Sequence, residues 1–200
     1  MHYLLDMDGV IANFVDAAIK AHGQYCEHDD ITQWDIADLW GITDSRFWEV
    51  INPETSKPFS QNPTLWNLHS SRVGRCIRFW SEIKPYEWMD TVIESISRST
   101  WSICTSPSKS PYSTSGKVEW LQFHFGRDFR DFVITSQKHL LAGPSKCLID
   151  DSDKNVELFR EHGGQAILFP QPWNANRDKI GDRMGYLNGQ LDLISGKVAS

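Results

Sequence analysis

No two cysteines in this chain stand close enough to form a CxxC pair; Cys26, Cys76, Cys104 and Cys147 are widely separated. That spacing excludes a zinc ribbon and argues against a disulfide scaffold, so a reduced, intracellular protein is expected. Histidines are no better arranged for a metal, because no pair falls at ligand spacing. His139, beside Lys138, is the one histidine near a candidate site, and its expected role is hydrogen bonding or solvation. Long hydrophobic runs are also missing. Nothing approaches the roughly 20 apolar residues of a membrane span, and Asp6 and Asp8 interrupt the apolar N-terminal stretch, which does not read as a signal peptide. Positive charge is in short supply: 20 Lys and Arg face 26 Asp and Glu, a net charge of −6. Such a balance disfavours binding to a nucleic acid polymer or an anionic membrane. There is no internal repeat and no low-complexity tract. The expectation is a soluble, cytoplasmic protein that acts on a small molecule, with a homodimer compatible with everything above.

What is present is a rhythm of short apolar runs, each followed by polar or turn residues and then a helical pattern. HYLLD at 2–6 precedes IANFVDAAIKAHG, whose Ile11, Phe14, Val15, Ala18 and Ile19 keep helical spacing up to a stop at Gly23. WSICT (101–105), DFVITS (131–136), KCLIDD (146–151) and QAILFP (165–170) read as further strands, and Ser152 or Asp153 as the cap of a helix ending near Gly163. Apolar strands with little internal alternation, separated by helices, predict an α/β fold with a parallel sheet covered on both faces. Residues 20–84 break the rhythm. They carry Trp34, Trp40, Phe47, Trp48, Phe59, Trp66, Phe79 and Trp80 among short helical patches such as DITQWDIADLW and DSRFWEVI. This segment reads as a mostly helical cap inserted after the first strand and helix. Residues 1–19 and 85–200 then form the core, re-entered through PYEWMDTVIESIS and ending in a terminal helix near YLNGQLDLISGK.

Ligands of open parallel sheets bind outside the carboxyl ends of the strands. The first strand delivers Asp6 and Asp8, which alternation places on one side with Met7 on the other. Two carboxylates so close repel unless a cation or shared proton relieves them. The second strand delivers Thr105 and Ser106, the third is followed by Lys138, and the fourth delivers Asp150 and Asp151. Each piece alone has a plain explanation as turn, solvated lysine or helix cap; all four in order point to phosphoryl transfer. Mg²⁺ takes hard oxygen ligands, which Asp6, a carboxylate of the fourth strand and the backbone carbonyl of Asp8 can supply. A carboxylate nucleophile splits hydrolysis into two steps through an aspartyl-phosphate. Asp8 is placed to act as acid and then base, and Thr105, Ser106 and Lys138 to bind the phosphoryl oxygens.

LLDMDGV, CTSP, the downstream lysine and LIDDS resemble the four motifs of the haloacid-dehalogenase superfamily. The resemblance implies a Rossmann-like core, Asp6 as nucleophile, Asp8 as acid/base, Asp151 as direct Mg²⁺ ligand and Asp150 as its water-bridged partner. Within that superfamily DMDGVIANF, SRFWE, ICTSPSK, GKVEWLQFHFGRDF and VITSQK are similar to the 5'(3')-deoxyribonucleotidase family, over most of residues 3–152. This implies a Mg²⁺-dependent phosphatase of deoxyribonucleoside monophosphates whose substrate is held by Phe14, Phe47, Trp48, Ser106 and Lys109. The chain departs from the family in a slightly longer HLLAGPSKCLI and in Ser152, where the animal enzymes carry arginine. Two alternatives stay open: another small phosphoester such as a sugar phosphate, with the aromatics serving as core, and a catalytically inactive nucleotide-binding protein on the same fold.

Overall fold

A computed structural model describes residues 1–53 and 63–196, with side chains absent from the description for 63–69. Phe59 therefore lies outside the described residues, as does the side chain of Trp66. Five parallel strands form one sheet in the order β3-β2-β1-β4-β5. They are β1 (His2–Leu5), β2 (Thr100–Thr105), β3 (Phe132–Ile134), β4 (Lys146–Asp150) and β5 (Gln165–Leu168). Every run that reads as a strand in the sequence is one, and the α/β expectation holds. β1 lies at the centre, with Leu5 beside Ile103 of β2 and Ile149 of β4. From β1 the chain moves outward to β2 and β3, then returns across β1 to β4 and β5. The switch of direction falls between β1 and β4, where a parallel sheet opens its ligand crevice.

Alternation along β1 explains why both faces are apolar. Tyr3 and Leu5 join the larger core, and Leu4 packs with Leu148, Val156 and Phe159 on the opposite face. That second face is closed by α7 (Asp153–Glu161), which Ser152 caps by accepting from the Asn155 N–H. The larger core takes α1 (Phe14–His22), α5 (Met89–Ile96), α6 (Pro111–Phe125) and the terminal α8 (Arg183–Ile194). In α1 the helical spacing is realised: Phe14, Val15, Ala18 and Ile19 are buried, and Gly23 ends the helix with φ +61°, a conformation cheap only for glycine. The helix therefore continues past residue 20, where the cap was expected to begin. α6 starts earlier than its apolar pattern suggests, because Ser110 caps it and Pro111 occupies its first turn.

Between α1 and α5 lie α2 (Ile36–Leu39), α3 (Asp44–Ile51) and α4 (Pro63–Ser81), with no strand among the described residues. α4 packs against α6 at Gly116, where a Cβ would meet the carbonyl oxygen of Ile77 at 2.5 Å and Trp80 Cβ at 2.6 Å. No helix among the described residues is long and apolar enough to cross a membrane. All four cysteines are free.

Candidate active site

The chain leaves β1 at Asp6 and turns sharply, with the Ile11 and Ala12 amides donating to the Met7 carbonyl at 2.9 and 2.8 Å. Gly9 sits in the turn at φ +76°, and a Cβ there would run into the Asp151 carboxylate. Glycine is thus required twice, for its backbone angle and for the approach of the fourth strand end to the first. The two acid-bearing loops meet directly.

Lys138 ties them together. Its Nζ lies 2.7 Å from Asp6 Oδ1 and 2.7 Å from Asp150 Oδ2, and all three side chains are buried. The longer HLLAGPSKCLI segment does not displace this lysine, because Lys138–Leu141 winds into a 3-10 turn ahead of β4. Asp6 Oδ1 also accepts from the Met7 amide at 2.7 Å, which leaves Oδ2 without a donor among the described residues. Asp150 is fully engaged: Oδ1 accepts from the Ser152 amide and Asn155 Nδ2, and Oδ2 from Asn155 Nδ2 and Lys138. Asp151 accepts from the Trp173 indole at Oδ2, 2.7 Å away. Asp8 forms an ion pair through Oδ2 with Lys117, while its buried Oδ1 has no partner.

Burial raises the Asp6 carboxyl to about 7, against the opposing pull of Lys138 and with help from the charges of Asp150 and Asp8. Burial likewise lifts Asp151 well above the carboxylate range, reinforced by Asp150 and Asp6. Lys138 is held above its ordinary value because Asp150 and Asp6 outweigh the cost of its burial. Asp6, Asp150 and Asp151 bring carboxylate oxygens within 4.8 Å of one another. A buried cluster of hard oxygen donors whose members resist ionising together fits a metal site.

Asp6, Asp8 and Asp151 open into a cavity of about 650 Å³, ample for a nucleotide-sized ligand. Phe14, Trp48 and Trp80 form one aromatic wall; Phe14 and Trp80 are stacked at 5.4 Å between centroids, and Trp48 lies 6.4 Å from Phe14. Ser106 lines the floor. Thr105 is wholly buried and accepts from Lys117 Nζ at 2.9 Å. Lys109 stands at the rim, paired with Asp44 of α3 at 2.7 Å, and Asp44 in turn accepts from the Trp48 indole at 2.8 Å. Phe47 does not line the cavity. It turns into the larger core, 4% exposed, stacked on His22 at 4.8 Å and edge-on to Trp48. Neighbours on one helix turn point in different directions, so SRFWE sends only its tryptophan to the cavity. His139 packs beside His162 at 4.6 Å, away from the carboxylates.

A family model described as "5' nucleotidase, deoxy (Pyrimidine), cytosolic type C protein" matches residues 1–183. The chain belongs to this nucleotidase family. It is a phosphoric monoester hydrolase of the nucleotidase type. Among solved structures, a haloacid-dehalogenase family hydrolase from Deinococcus radiodurans, with bound phosphate and sodium, is similar at a TM-score of 0.53 and 11% identity, over 97% of this chain and 96% of that one. A hydrolase from Pseudomonas syringae is similar at 0.50 and 12%, over the full length of both. These likenesses show the shared fold. No curated protein sequence matches the chain.

Three side chains at the nucleotidase site escape a reading of the sequence. Lys117 sits in α6 between apolar neighbours, fully buried. Its Nζ reaches Asp8, Thr105 Oγ1 and the Ser106 carbonyl at 2.7 Å, and lies 4.8 Å from the centre of the Trp80 ring. A buried lysine is rare, and its position inside the GKVEWLQFHFG match was the one signal pointing to it. Trp34 and Trp173 line the cavity as well, 5.9 Å apart. Trp173 belongs to the stretch after residue 152 that matches no motif.

Proposed function

We propose that the protein is a Mg²⁺-dependent phosphatase that hydrolyses deoxyribonucleoside monophosphates to deoxynucleoside and phosphate. The observation that carries this reading is that Asp6, Asp8 and Asp151 open together into one cavity walled by Phe14, Trp48 and Trp80. In the first step Asp6 Oδ2 attacks phosphorus and the ester P–O bond breaks, with Asp8 giving its proton to the leaving oxygen. In the second, water attacks the phosphorus of the aspartyl-phosphate, its proton passes to Asp8, and phosphate leaves. Lys138 holds Asp6 by Oδ1 and so directs Oδ2 outward. Ser106, on the cavity, stands ready for phosphoryl oxygens, whereas Thr105, expected to join it, is wholly buried and anchors Lys117 instead. Asp151 through its free Oδ1, the Asp8 backbone carbonyl and the Asp6 carboxylate would hold Mg²⁺, with Asp6 Oδ2 kept for phosphorus and Asp150 behind them orienting Lys138. When bound, the cation offsets the acidic cluster and polarises the phosphoryl group. The helical segment 20–84 serves as the substrate-reading cap, offering an aromatic face on which a base stacks, worth roughly 1–3 kcal/mol. The family's cytosolic designation supports action in the cytoplasm.

Phosphate release is measured from deoxyribo- and ribonucleoside monophosphates and from sugar phosphates, with Mg²⁺ or with chelator. Deoxyribonucleotides turned over only with Mg²⁺ are the expected result. Release from sugar phosphates alone would overturn the substrate assignment. Asp6→Asn is expected to lose activity by a factor on the order of 10³ or more with an unchanged circular dichroism spectrum, and wild-type turnover in that variant would remove Asp6 as nucleophile.

A further inference from the structure

The segment that follows β5 has no part in the chemistry above, yet it is buried throughout from Phe169 to Asn174. Three of its side chains grip the two acid-bearing loops. Gln171 donates to the Gly9 carbonyl in the turn after β1. Asn174 donates to the Asp151 carbonyl at 2.8 Å and to the Phe169 carbonyl at 2.8 Å. Trp173 donates its indole N–H to Asp151 Oδ2 at 2.7 Å, while its ring faces the cavity beside Trp34 and lies 5.3 Å from His28.

An indole nitrogen is a donor only, so its N–H occupies one acceptor position of the Asp151 oxygen it faces and holds that oxygen turned toward Trp173, opposing its use as a second ligand to the same cation. Oδ1 has no donor among the described residues. Asp150 cannot make up the loss, since its oxygens already accept from Lys138, Asn155 and the Ser152 amide. The site therefore presents one oxygen of Asp151 rather than two. Ca²⁺ takes six to eight oxygens and accepts carboxylates through both; Mg²⁺ is smaller, holds to octahedral geometry and is content with single oxygens plus water.

We propose that Trp173 is a positioning residue for the metal carboxylate: its N–H reserves Asp151 Oδ2, restricts Asp151 to one-oxygen binding, and so biases the site toward Mg²⁺ over Ca²⁺. The inference rests on the Mg²⁺ reading of the Asp6–Asp151 site. It assigns the PWN stretch, which lies outside the four sequence motifs, a function: selecting the ion at the sheet edge.

The test is calorimetric titration of the full chain, without substrate, with MgCl₂ and separately with CaCl₂. The wild type is expected to prefer Mg²⁺ by about tenfold or more. Trp173→Phe keeps a ring and removes only the donor. It is expected to bind Mg²⁺ about tenfold more weakly, as loss of a partner behind a metal ligand does, while Ca²⁺ binding stays level or tightens. An equal loss for both ions, or no loss for either, overturns the proposal, because a packing role alone would not separate them. Should the variant fail to fold, the wild type still decides: Ca²⁺ bound as tightly as Mg²⁺ overturns it. A wild type that binds neither ion would sink the metal reading itself, a result distinct from the others.

Discussion

Lys117 shows how a single side chain can matter more than its surroundings in the sequence suggest. It sits inside the protein with Asp8, Thr105 Oγ1 and the Ser106 carbonyl around its ammonium group. The ion pair holds Asp8 Oδ2 in place and leaves the buried Oδ1 without a partner. Lys117→Met removes the charge and keeps the length, stranding a carboxylate in a largely buried site. Stability is expected to fall by roughly 3–5 kcal/mol, the usual cost of breaking one half of a buried pair, as read by urea denaturation. Adding Asp8→Asn to the same variant should restore part of that loss, since the stranded charge is then gone; no restoration would mean that Lys117 acts through packing alone. The aspartates were legible in the sequence because a DxDG and a DD at two strand ends have few other uses. Lys117 was not, because a lysine within a helix is ordinarily solvated, and only the packing of α6 beneath the β1 turn buries it. Phe47 erred the other way: a motif placed it at the substrate, and the pitch of α3 turned it inward.

At the scale of elements, α4 packs closely against α6. The two helices come close because Gly116 has no side chain, and Trp80 lies at this crossing with one face toward the cavity. Gly116→Ala would push its new methyl into the Ile77 carbonyl and Trp80 Cβ. Overpacking of this kind costs about 1–3 kcal/mol. Displacing α4 also shifts the aromatic wall, so a several-fold rise in KM for a nucleotide, with a smaller change in kcat, is expected from steady-state kinetics. An unchanged KM would show that the wall does not depend on this crossing. By contrast, the Lys109–Asp44 pair that joins the β2 loop to α3 is largely exposed, and such pairs contribute little to stability. The strands were read from periodicity, but the 19-residue α4 was not, because its segment shows only short helical patches in the sequence.

For the whole molecule, the acidic cluster links stability to pH and to the cation. Burial raises Asp6 from 3.8 to about 7 and Asp151 in the same direction. An unfolded chain releases these protons near pH 4. Between about pH 4 and 7 the folded protein therefore holds more protons than the unfolded chain, and stability falls as pH rises through that window. Thermal melts with chelator should show the midpoint dropping from pH 5 to pH 7.5. Mg²⁺ should flatten the drop, because a bound cation favours the ionised carboxylates. A midpoint that rises over the same interval with chelator present would contradict this account.

The sequence by itself determined the parallel sheet, the order of its strands along the chain and the acidic groups delivered to their ends, since strand alternation and turn chemistry are local. It also determined the class of reaction, because so few chemistries use carboxylates in that order. Only the tertiary structure decided which aromatics face the cavity and that Lys117 holds Asp8. It alone brought the Trp173 indole, from beyond every recognisable motif, onto Asp151. Those outcomes depend on helix pitch, on close approach at Gly9 and Gly116, and on contacts between residues far apart in the chain, none of which leaves a periodic trace in the sequence.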